Sequence, residues 1–422
     1  MTKLKELIKE LCPNGVEIAP LWSLTIWDKR FNAVEKYKQP KVISYPYLLA
    51  ADLFALEENN GNVFLLSTGE QTGWTTEEKA GRNMCEGEVV TMPWGKSRAV
   101  TDCIKYYKGK FVTADNRIMT SSNKEKLLNK YLYYWFMSVG CGVDSFYRGS
   151  GIKHPDMAKV LDLQIPVPPL PVQEEIVRIL DNFTELTAEL TAELTARKKQ
   201  YEYYRDSLLT ISNEKLAMSR LDSIAKFTYG YTDKAKDSGS VRFIRITDIS
   251  DNGTLNPNDA KFIDLTDESK KYLLHQGDIV MARTGATFGK TLYVPDDTPS
   301  VYASFLIKIT LDNSKISNRF YWHFAQSNLY WEQANKLVSA GGQPQFNASA
   351  VGRVLVPIPP LETQNKIVQV LDNFDSICSD LKIGLPAEIE ARTKQYEYYR
   401  DKLLSFKETP TYEQKKEISK TE

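Results

Sequence analysis

Two long stretches of this sequence occur twice, and this duplication limits the possible folds more than any other feature. Ile165–Phe183 reads IPVPPLPVQEEIVRILDNF, and Val356–Phe374 reads VPIPPLETQNKIVQVLDNF. A second block, RKKQYEYYRDSLL from Arg197, returns as RTKQYEYYRDKLL from Arg392. Similarity over such lengths does not arise by chance, so the chain contains two copies of one structural unit.

Each copy begins upstream of these blocks, where the similarity is weaker. Three pairs of segments correspond: Cys85–Gly95 with His275–Gly285, Asn129–Phe136 with Asn318–Ala325, and Gly149–Asp156 with Ala340–Asn347. Each copy is a globular module of roughly 140 residues, a usual domain size, followed by a proline-rich elbow and a long helix. The predicted boundaries are 1–164 for an N-terminal helix and the first module, 165–213 for the first elbow and spacer helix, 214–355 for the second module, 356–407 for the second elbow and spacer helix, and 408–422 for a polar tail.

The modules combine both kinds of secondary structure. Runs rich in β-branched residues and bounded by turn residues predict strands at Val63–Leu66, Glu88–Met92, Val241–Thr247 and Ser304–Thr310. Aromatic-rich segments predict helices at Leu127–Val139 and Asn318–Leu337. We therefore predict an α+β fold, with two pseudo-symmetric globular domains separated by two long antiparallel helices that form a coiled coil.

The two predicted spacer helices follow the proline-rich elbows. Proline fixes φ and keeps its predecessor extended, so we expect the helices to begin at Val172 and Glu362. Apolar residues then recur every three or four positions, which is typical of a helix that pairs with another helix. The predicted pairing residues are Ile176, Leu180, Phe183, Leu186, Leu190, Leu194, Tyr201 and Leu208 in the first helix, and Ile367, Leu371, Phe374 and Tyr396 in the second.

The length and the composition of these helices differ between the copies. About 40 residues at a rise of ~1.5 Å give roughly 60 Å, too long for a linker inside one globule. The first helix contains three tandem ELTA units over residues 185–196, whereas Gly384-Leu385-Pro386 predicts a kink or an interruption in the second.

Composition narrows the class of protein. Basic and acidic residues balance at 54 each, so a nucleic-acid-binding chain would need its positive charge focused on one surface. The five cysteines and three histidines are scattered, which disfavours a zinc site or a disulfide framework and fits a reducing cytoplasm. The N-terminal MTKLKELIKEL predicts a short amphipathic helix and not a signal peptide, and no apolar run is long enough to span a membrane.

The PPL elbow, the IV-x-x-LD-x-F helix start, the ELTA units and the KQYEYYRD ending together resemble the specificity subunit of type I restriction-modification systems. The resemblance covers essentially the whole chain. It implies that each module reads one half of a bipartite site in double-stranded DNA. It also implies that the helices form the spacer and dock two adenine methyltransferase (modification) subunits, which two ATP-hydrolysing restriction subunits join. S-adenosylmethionine, ATP and Mg²⁺ are then expected on the partner subunits, and no cofactor on this chain.

The residues themselves give no sign of catalysis. Thr284–Thr291 reads TGATFGKT, but a phosphate-binding P-loop needs four residues between its glycine and the Gly-Lys pair, and only three intervene here. The Asn-Pro-Pro-aromatic and Asp-Pro-Pro-aromatic tetrapeptides of adenine methyltransferases are absent, as is a glycine-rich cofactor loop. We predict a non-catalytic chain.

Basic residues near aromatic residues or in turns are the candidate DNA contacts. In the first module they are Lys29, Arg30, Lys36, Lys38, Lys96, Arg98, Arg148 and Lys153. In the second module they are Arg242, Arg245, Arg283, Lys290, Gln343 and Gln345. Glutamine can read adenine edges in the major groove, while arginine reads guanine or holds phosphate, and the sequence leaves both roles open.

Two other functions fit parts of the sequence. A bivalent scaffold that binds proteins through its two modules is compatible with the neutral net charge, and a steep salt dependence of duplex binding would distinguish DNA recognition from it. A solitary methyltransferase is disfavoured by the missing motifs.

Overall fold

The structure is a computed structural model that describes residues 2–67, 72–96, 98–114, 117–211, 217–339, 344–380 and 382–409. Its helices are α1 (Thr2–Leu11), α2 (Leu21–Leu24), α3 (Ala50–Phe54), α4 (Glu77–Ala80), α5 (Asn129–Asp144), α6 (Met157–Leu161), α7 (Leu170–Ile211), α8 (Asn318–Ala325), α9 (Asn328–Leu337), α10 (Ala348–Gly352), α11 (Leu361–Ser379) and α12 (Leu385–Leu403).

The strands of the first module are β1 (Glu17–Pro20), β2 (Thr25–Trp27), β3 (Tyr47–Leu48), β4 (Val63–Leu66), β5 (Trp74–Thr75), β6 (Cys85–Met92), β7 (Lys105–Ala114), β8 (Arg117–Ser121), β9 (Tyr147–Arg148), β10 (His154–Pro155) and β11 (Gln164–Val167). Those of the second module are β12 (Met218–Arg220), β13 (Ala225–Tyr229), β14 (Val241–Ile244), β15 (Phe262–Ile263), β16 (Ile279–Ala282), β17 (Thr291–Tyr293), β18 (Ser300–Tyr302), β19 (Leu306–Leu311) and β20 (Leu355–Pro357). This mixture of helix and strand confirms the predicted α+β content.

Two compact units divide the chain within its long helices. The first unit runs from the N-terminus to Glu189 and resumes at Ile389, while the second is the continuous segment Leu190–Glu388. The predicted spacer segments are therefore shared between the units. The first unit holds the start of α7 and most of α12, and the second holds the rest of α7 together with α11.

The same four-stranded antiparallel core is present in both modules. Its strand order is β2-β8-β6-β7 in the first module and β13-β19-β16-β17 in the second. Both modules also pair an entry strand with the elbow strand, β1 with β11 and β12 with β20. The repeat seen in the sequence is thus a repeat of topology, with chain entry and exit adjacent in each module.

The remaining strands differ. In the first module β4 and β3 each run parallel to β7, which extends the core to a seven-stranded sheet. In the second module β14 lies between β15 and β18 in a separate three-stranded sheet. The modules therefore share an inner sheet and diverge at its edge.

The long helices agree with the sequence patterns in most respects. The first begins at Leu170 and continues to Ile211, two residues earlier than expected at its start. The second is divided into α11 and α12, as Gly384-Leu385-Pro386 predicts. The helix predicted over Asn318–Leu337 is wrong as one element, because the Ser327 side chain accepts a hydrogen bond from the Tyr330 amide and starts α9 as a new helix.

The predicted pairing residues fall into two groups. Apolar residues near the helix starts are buried in the module cores, namely Ile176, Leu180, Ile367 and Leu371. Those further along are half-buried, namely Phe183, Leu190, Leu194, Tyr201, Phe374 and Tyr396. Leu186 was wrongly included, since its side chain is exposed and the neighbouring Thr187 is half-buried instead.

In the first unit, backbone contacts join residues from the two ends of the described chain. The Val16 amide donates to the Lys407 carbonyl at 2.9 Å, and the Thr409 amide donates to the Val16 carbonyl at 3.0 Å. Leu403 and Leu404 enter the same core cluster as Leu4 of α1. The segment after α12 is therefore part of the first unit's core.

Candidate nucleic-acid interface and helix junctions

Two loops meet at one edge of the first module. The turn after β6 and the β9–β10 hairpin exchange backbone hydrogen bonds, with the Lys96 amide 3.1 Å from the Lys153 carbonyl and the reverse pair 3.3 Å apart. The carbonyl of Trp94 lies 3.0 Å from Nδ1 of His154, and the two rings are 4.8 Å apart. The fold thus brings Lys96 close to Arg148 and Lys153, which lie about 50 residues later in the sequence.

A cavity of about 590 Å³ adjoins these loops. Lys29, Arg30 and Arg148 line it together with the aromatic side chains of Phe31 and Trp94. Three of the predicted cations and one carboxylate, Asp156 at 3.8 Å from Arg148, therefore surround one concave, partly aromatic surface, and its excess of positive charge suits the phosphates of DNA.

Arg117 forms the inner wall of this cavity. Its guanidinium carbon lies 3.6 Å from the centre of the Trp94 ring and 5.4 Å from that of Phe31, and the residue is only 5% exposed. Asp28 is also buried, and burial raises its pKa to about 6, against the lowering effects of Lys29, the Ile118 amide and Arg117. Sequence reasoning missed Arg117, because a lone arginine at a strand start carries no distinguishing pattern.

The other predicted cations of the first module lie in different environments. Lys38 is buried and paired with Asp162 at 2.7 Å and Glu35 at 3.1 Å, and Lys96 is half-buried and paired with Asp144. Lys36 is exposed on a short 3-10 turn. Arg98 is half-buried, and its charge adds to burial in lowering the pKa of Lys105. Contacts of Lys38 or Lys96 with DNA would require these carboxylates to give up their partners, so the geometry disfavours both.

Acidic neighbours pair with two of the four predicted cations of the second module, and a backbone carbonyl engages a third. Arg245 pairs with Asp248 at 2.8 Å and with Asp259 at 3.4 Å. Lys290 pairs with Asp251 at 2.5 Å. Arg242 donates to the backbone carbonyl of Asn256.

Arg283 and Gln345 are brought together in the second module. Nη1 of Arg283 lies 3.5 Å from Oε1 of Gln345, and the amide nitrogen of Gln345 donates to the Thr284 hydroxyl at 2.8 Å. The exposed rings of Tyr229 and Phe305 flank the guanidinium at 5.3 and 5.5 Å. Gln343 lies outside the described residues. The sequence did not single out Tyr229 or Phe305, although both stand beside turn residues.

A buried glutamine joins each helix start to its module. Gln173 donates to the carbonyls of Pro168 at 2.7 Å and Lys126 at 2.8 Å, and accepts from the Leu128 amide at 2.9 Å. Gln364 makes the same three bonds, to Pro359 at 2.8 Å, Lys315 at 2.8 Å and the Ser317 amide at 2.9 Å. Sequence reasoning missed both, although their identity in the two copies was the available signal.

An aspartate eight residues beyond each buried glutamine makes a second junction. Asp181 accepts from Lys130 at 2.8 Å and from the Tyr134 hydroxyl at 2.6 Å. In the second unit Asp372 contacts Arg319 Nε and His323 Nε2, both at 2.7 Å. Burial lowers the pKa of His323, which the hydrogen bond to Asp372 partly opposes.

Three aromatic rings form a matched ladder in each unit. In the first unit Phe183 stacks on Tyr399 at 5.5 Å, and Tyr399 contacts Tyr398 at 5.2 Å. In the second unit the rings of Phe374, Tyr204 and Tyr203 repeat this arrangement, at 5.5 Å for both steps. Each ladder joins the start of one repeated helix to the end of the other, and its outer tyrosine is exposed.

A family model described as the type I restriction modification DNA specificity domain matches residues 49–197 and again residues 213–391. The chain belongs to this family. The first match covers the first module from residue 49 and part of α7, and the second covers the second module, α11 and the start of α12. The expected DNA specificity function is confirmed, and it is favoured over that of a protein-binding scaffold.

Relatives of the specificity family extend over most of the chain. A protein of Haemophilus influenzae assigned as a type I restriction enzyme specificity subunit is 32% identical over 338 residues, covering 76% of this chain and 83% of its own. The Escherichia coli type I restriction enzyme EcoR124I/EcoR124II specificity subunit is 31% identical over 315 residues, covering 70% and 75%. A crystal structure of a type I restriction-modification S subunit from M. genitalium shares the fold, with a TM-score of 0.59 over 92% of this chain and 96% of that chain at 14% identity.

Two kinds of feature, a metal-binding cluster and a membrane-spanning helix, are absent from the described residues of this specificity chain. No group of three or more His, Cys, Asp or Glu side chains is placed to hold a metal ion. None of the helices has the length and apolar character needed to cross a membrane.

Proposed function

We propose that each module reads one half of a bipartite DNA site, while the repeated helices set the distance between the halves and dock two methyltransferase subunits. The observation that carries this proposal is the matched set of helix junctions in the two units. Gln173 and Gln364 make equivalent sets of three hydrogen bonds, and the stacked phenylalanine–tyrosine pair of each ladder has the same 5.5 Å separation. Two copies of one partner require two such equivalent surfaces.

The surfaces proposed to contact bases differ between the two modules, although the helix junctions of the modules are alike. The first module offers Lys29, Arg30 and Arg148 around an aromatic cavity, and the second offers Arg283 and Gln345 between exposed rings. Different side chains on a common frame recognise different half-sites, because sequence is read through hydrogen bonds and apolar contacts to base edges.

The exposure pattern of α7 supports a paired-helix spacer. Beyond the module core, half-buried positions of α7 include a series that alternates by four and three residues, namely Phe183, Thr187, Leu190, Leu194, Arg197 and Tyr201, with Gln200 half-buried beside it. In α12 the half-buried Ile389, Arg392, Tyr396 and Tyr399 and the buried Leu403 have the same spacing, although residues 385–388 and Arg400 are half-buried as well. Such an alternation is typical of coiled coils, and we propose that the two helices run antiparallel.

The chemistry of modification and cleavage belongs, in this proposal, to the partners. The methyltransferase subunits bind S-adenosylmethionine, and two restriction subunits that use ATP and Mg²⁺ complete the assembly. This chain supplies recognition and spacing and binds no cofactor.

Deletion of one ELTA unit, Glu189–Ala192, tests whether the length of the helices sets the distance between the half-sites. The deletion removes about 6 Å of helix and about 40° of rotation beyond a full turn. One base pair spans ~3.4 Å and turns about 35°, so we expect the unread spacer to shorten by one base pair with both half-sites unchanged. Mapping methylated bases, in DNA treated with the variant and its methyltransferase partner, measures both quantities.

A length-matched control separates spacing from side-chain chemistry. Glu189 and Thr191 are exposed, so the double substitution Glu189→Gln, Thr191→Ala keeps the helix length and should leave the spacer unchanged. Altered half-sites in the deletion variant, or an unaltered spacer, would refute the proposal that helix length sets the spacer.

A further inference from the structure

Arg283 is a candidate contact residue whose backbone is hydrogen-bonded on both sides. Its backbone amide donates to the Phe305 carbonyl at 3.0 Å, and its carbonyl accepts from the Phe346 amide at 2.7 Å. The end of β16 is thereby fixed between the turn before β19 and the loop before α10. The guanidinium consequently projects from a backbone that is clamped on both sides.

The plane of the guanidinium is fixed as well. Nε donates to the Ser304 carbonyl at 3.0 Å, and Nη1 reaches the side-chain oxygen of Gln345 at 3.5 Å. Tyr229 and Phe305 stand on either side of the group and are 44% and 52% exposed. The Tyr229 ring is itself held, since its hydroxyl accepts from the Ala348 amide at 3.2 Å.

Arg283 differs from its neighbours in its electrostatic surroundings. Arg245 and Lys290 are neutralised by aspartates, whereas Arg283 forms no ion pair with any residue in the described part of the chain. Within the same part, its Nη2 has no hydrogen-bond partner. With Nε already engaged, the outward edge consists of Nη2 and the remaining hydrogen of Nη1, which is a two-pronged donor.

A fixed two-pronged donor suits one kind of ligand. Guanine presents O6 and N7 side by side in the major groove, and bidentate arginine is the commonest side chain to bind them. A phosphate also accepts this fork, but its oxygens surround the phosphorus and can be approached from several directions. O6 and N7 of guanine lie in the plane of the base, so they require a guanidinium in that same plane, which two acceptors and two flanking rings provide here. We infer that Arg283 reads a guanine in the half-site of the second module, with Tyr229 and Phe305 as the residues that hold its orientation. This inference rests on the proposed function, because it presupposes that the module contacts bases.

The test uses the full chain, in complex with its methyltransferase partner, and a duplex DNA library with a randomised segment. Bound or methylated duplexes are sequenced for the wild type and for Arg283→Lys. Lysine keeps the positive charge but lacks the two N–H donors that a guanidinium holds in one plane. We expect a guanine preference at one position of one half-site to fall by tenfold or more, since a good bidentate contact contributes discrimination of about that size. The other half-site and the spacer should not change.

Two further variants keep the test decisive. Arg220→Lys is the matched control, because Arg220 is an exposed arginine of the same module paired with Asp222, and its motif should equal that of the wild type. Phe305→Leu should weaken the same guanine preference less than Arg283→Lys does. Melting temperatures establish that each variant is folded.

Each outcome has a separate meaning. If Arg283→Lys keeps the full guanine preference, or weakens binding equally at every sequence, Arg283 is not a base reader and the inference fails. If the wild-type complex enriches no bipartite motif at all, the proposed function fails first. A motif that loses its guanine only in the Arg283 and Phe305 variants supports both.

Discussion

The two modules are most alike where they join the helices and least alike where they face outward. Both have the four-stranded antiparallel core and a buried glutamine that makes three hydrogen bonds at the helix start. Yet Arg117 of the first module is buried against Trp94, while Arg283 of the second stands partly open between two exposed rings. Duplication has kept the attachment and left the recognition surface free to change, which is what reading two different half-sites requires.

The largest expected effect tests the equivalence of the attachments. Gln173→Ala and Gln364→Ala each remove three hydrogen bonds and leave buried backbone groups without partners. We expect each to lower the free energy of unfolding by about 3 kcal/mol. Urea denaturation, with hydrogen exchange of α5 and α8 to localise the loss, measures it. If the losses of unfolding free energy in the two variants differ by much more than ~1 kcal/mol, the two helix junctions are not equivalent.

A charge in the first module provides the next test. Burial raises the pKa of Asp28 to about 6, so the folded state binds its proton more tightly than the unfolded state does. The contribution of this proton to the free energy of unfolding reaches its maximum below pH ~4 and is lost as the pH rises through 6. Asp28→Asn should therefore stabilise the protein by roughly 1–3 kcal/mol at pH 7.5, and by progressively less as the pH falls toward 4.

Urea denaturation of both proteins across this pH range makes the comparison. A gain of equal size at pH 4 and pH 7.5 would show that the charge of Asp28 is not its cause.

The smallest effect distinguishes the two units by pH. Tyr134 and His323 occupy equivalent positions, and burial lowers the pKa of His323. The unfolded state therefore binds a proton more tightly there, and stability contributed by the neutral imidazole is lost as the pH falls below about 6.5. Amide exchange, corrected for its intrinsic pH dependence, should show weaker protection of α8 at pH 5.5 than at pH 7.5, with no such change in α5. His323→Gln should abolish the difference, and a pH response that persists in this variant would exclude His323 as its source.

The sequence predicted features that depend on local pattern. The repeat, the elbows, the interruption near Gly384 and the strand Val63–Leu66 all follow from proline, glycine and β-branched residues acting within a few positions. The family resemblance followed from the same repeated blocks. Errors arose where a short-range competitor decided the outcome, as when the Ser327 side chain capped a new helix inside a continuous aromatic run.

Features that depend on residues far apart in the chain were harder to predict. Lys38 is neutralised by Asp162, a partner 124 residues away, so its pairing leaves no trace in the local sequence. The same holds for Arg117 and Trp94. Leu186 has the hydrophobicity expected of a pairing residue, but a period of 3.5 residues places Thr187 at the half-buried position instead. The Gln173–Gln364 correspondence could have been read from the repeat, by asking why a polar residue persists in both copies.

The way the units divide the chain also affects the order in which they can be completed during synthesis. The second unit is continuous, so all of its residues have been made once Glu388 has been added. The first unit starts earlier but takes core residues from beyond Ile389, including Leu403 and Leu404. The module that leaves the ribosome first must therefore wait, with part of its apolar surface uncovered, until the whole second module has been translated. A released chain that ends just past Glu388 should carry a protease-resistant second half and a protease-sensitive first half.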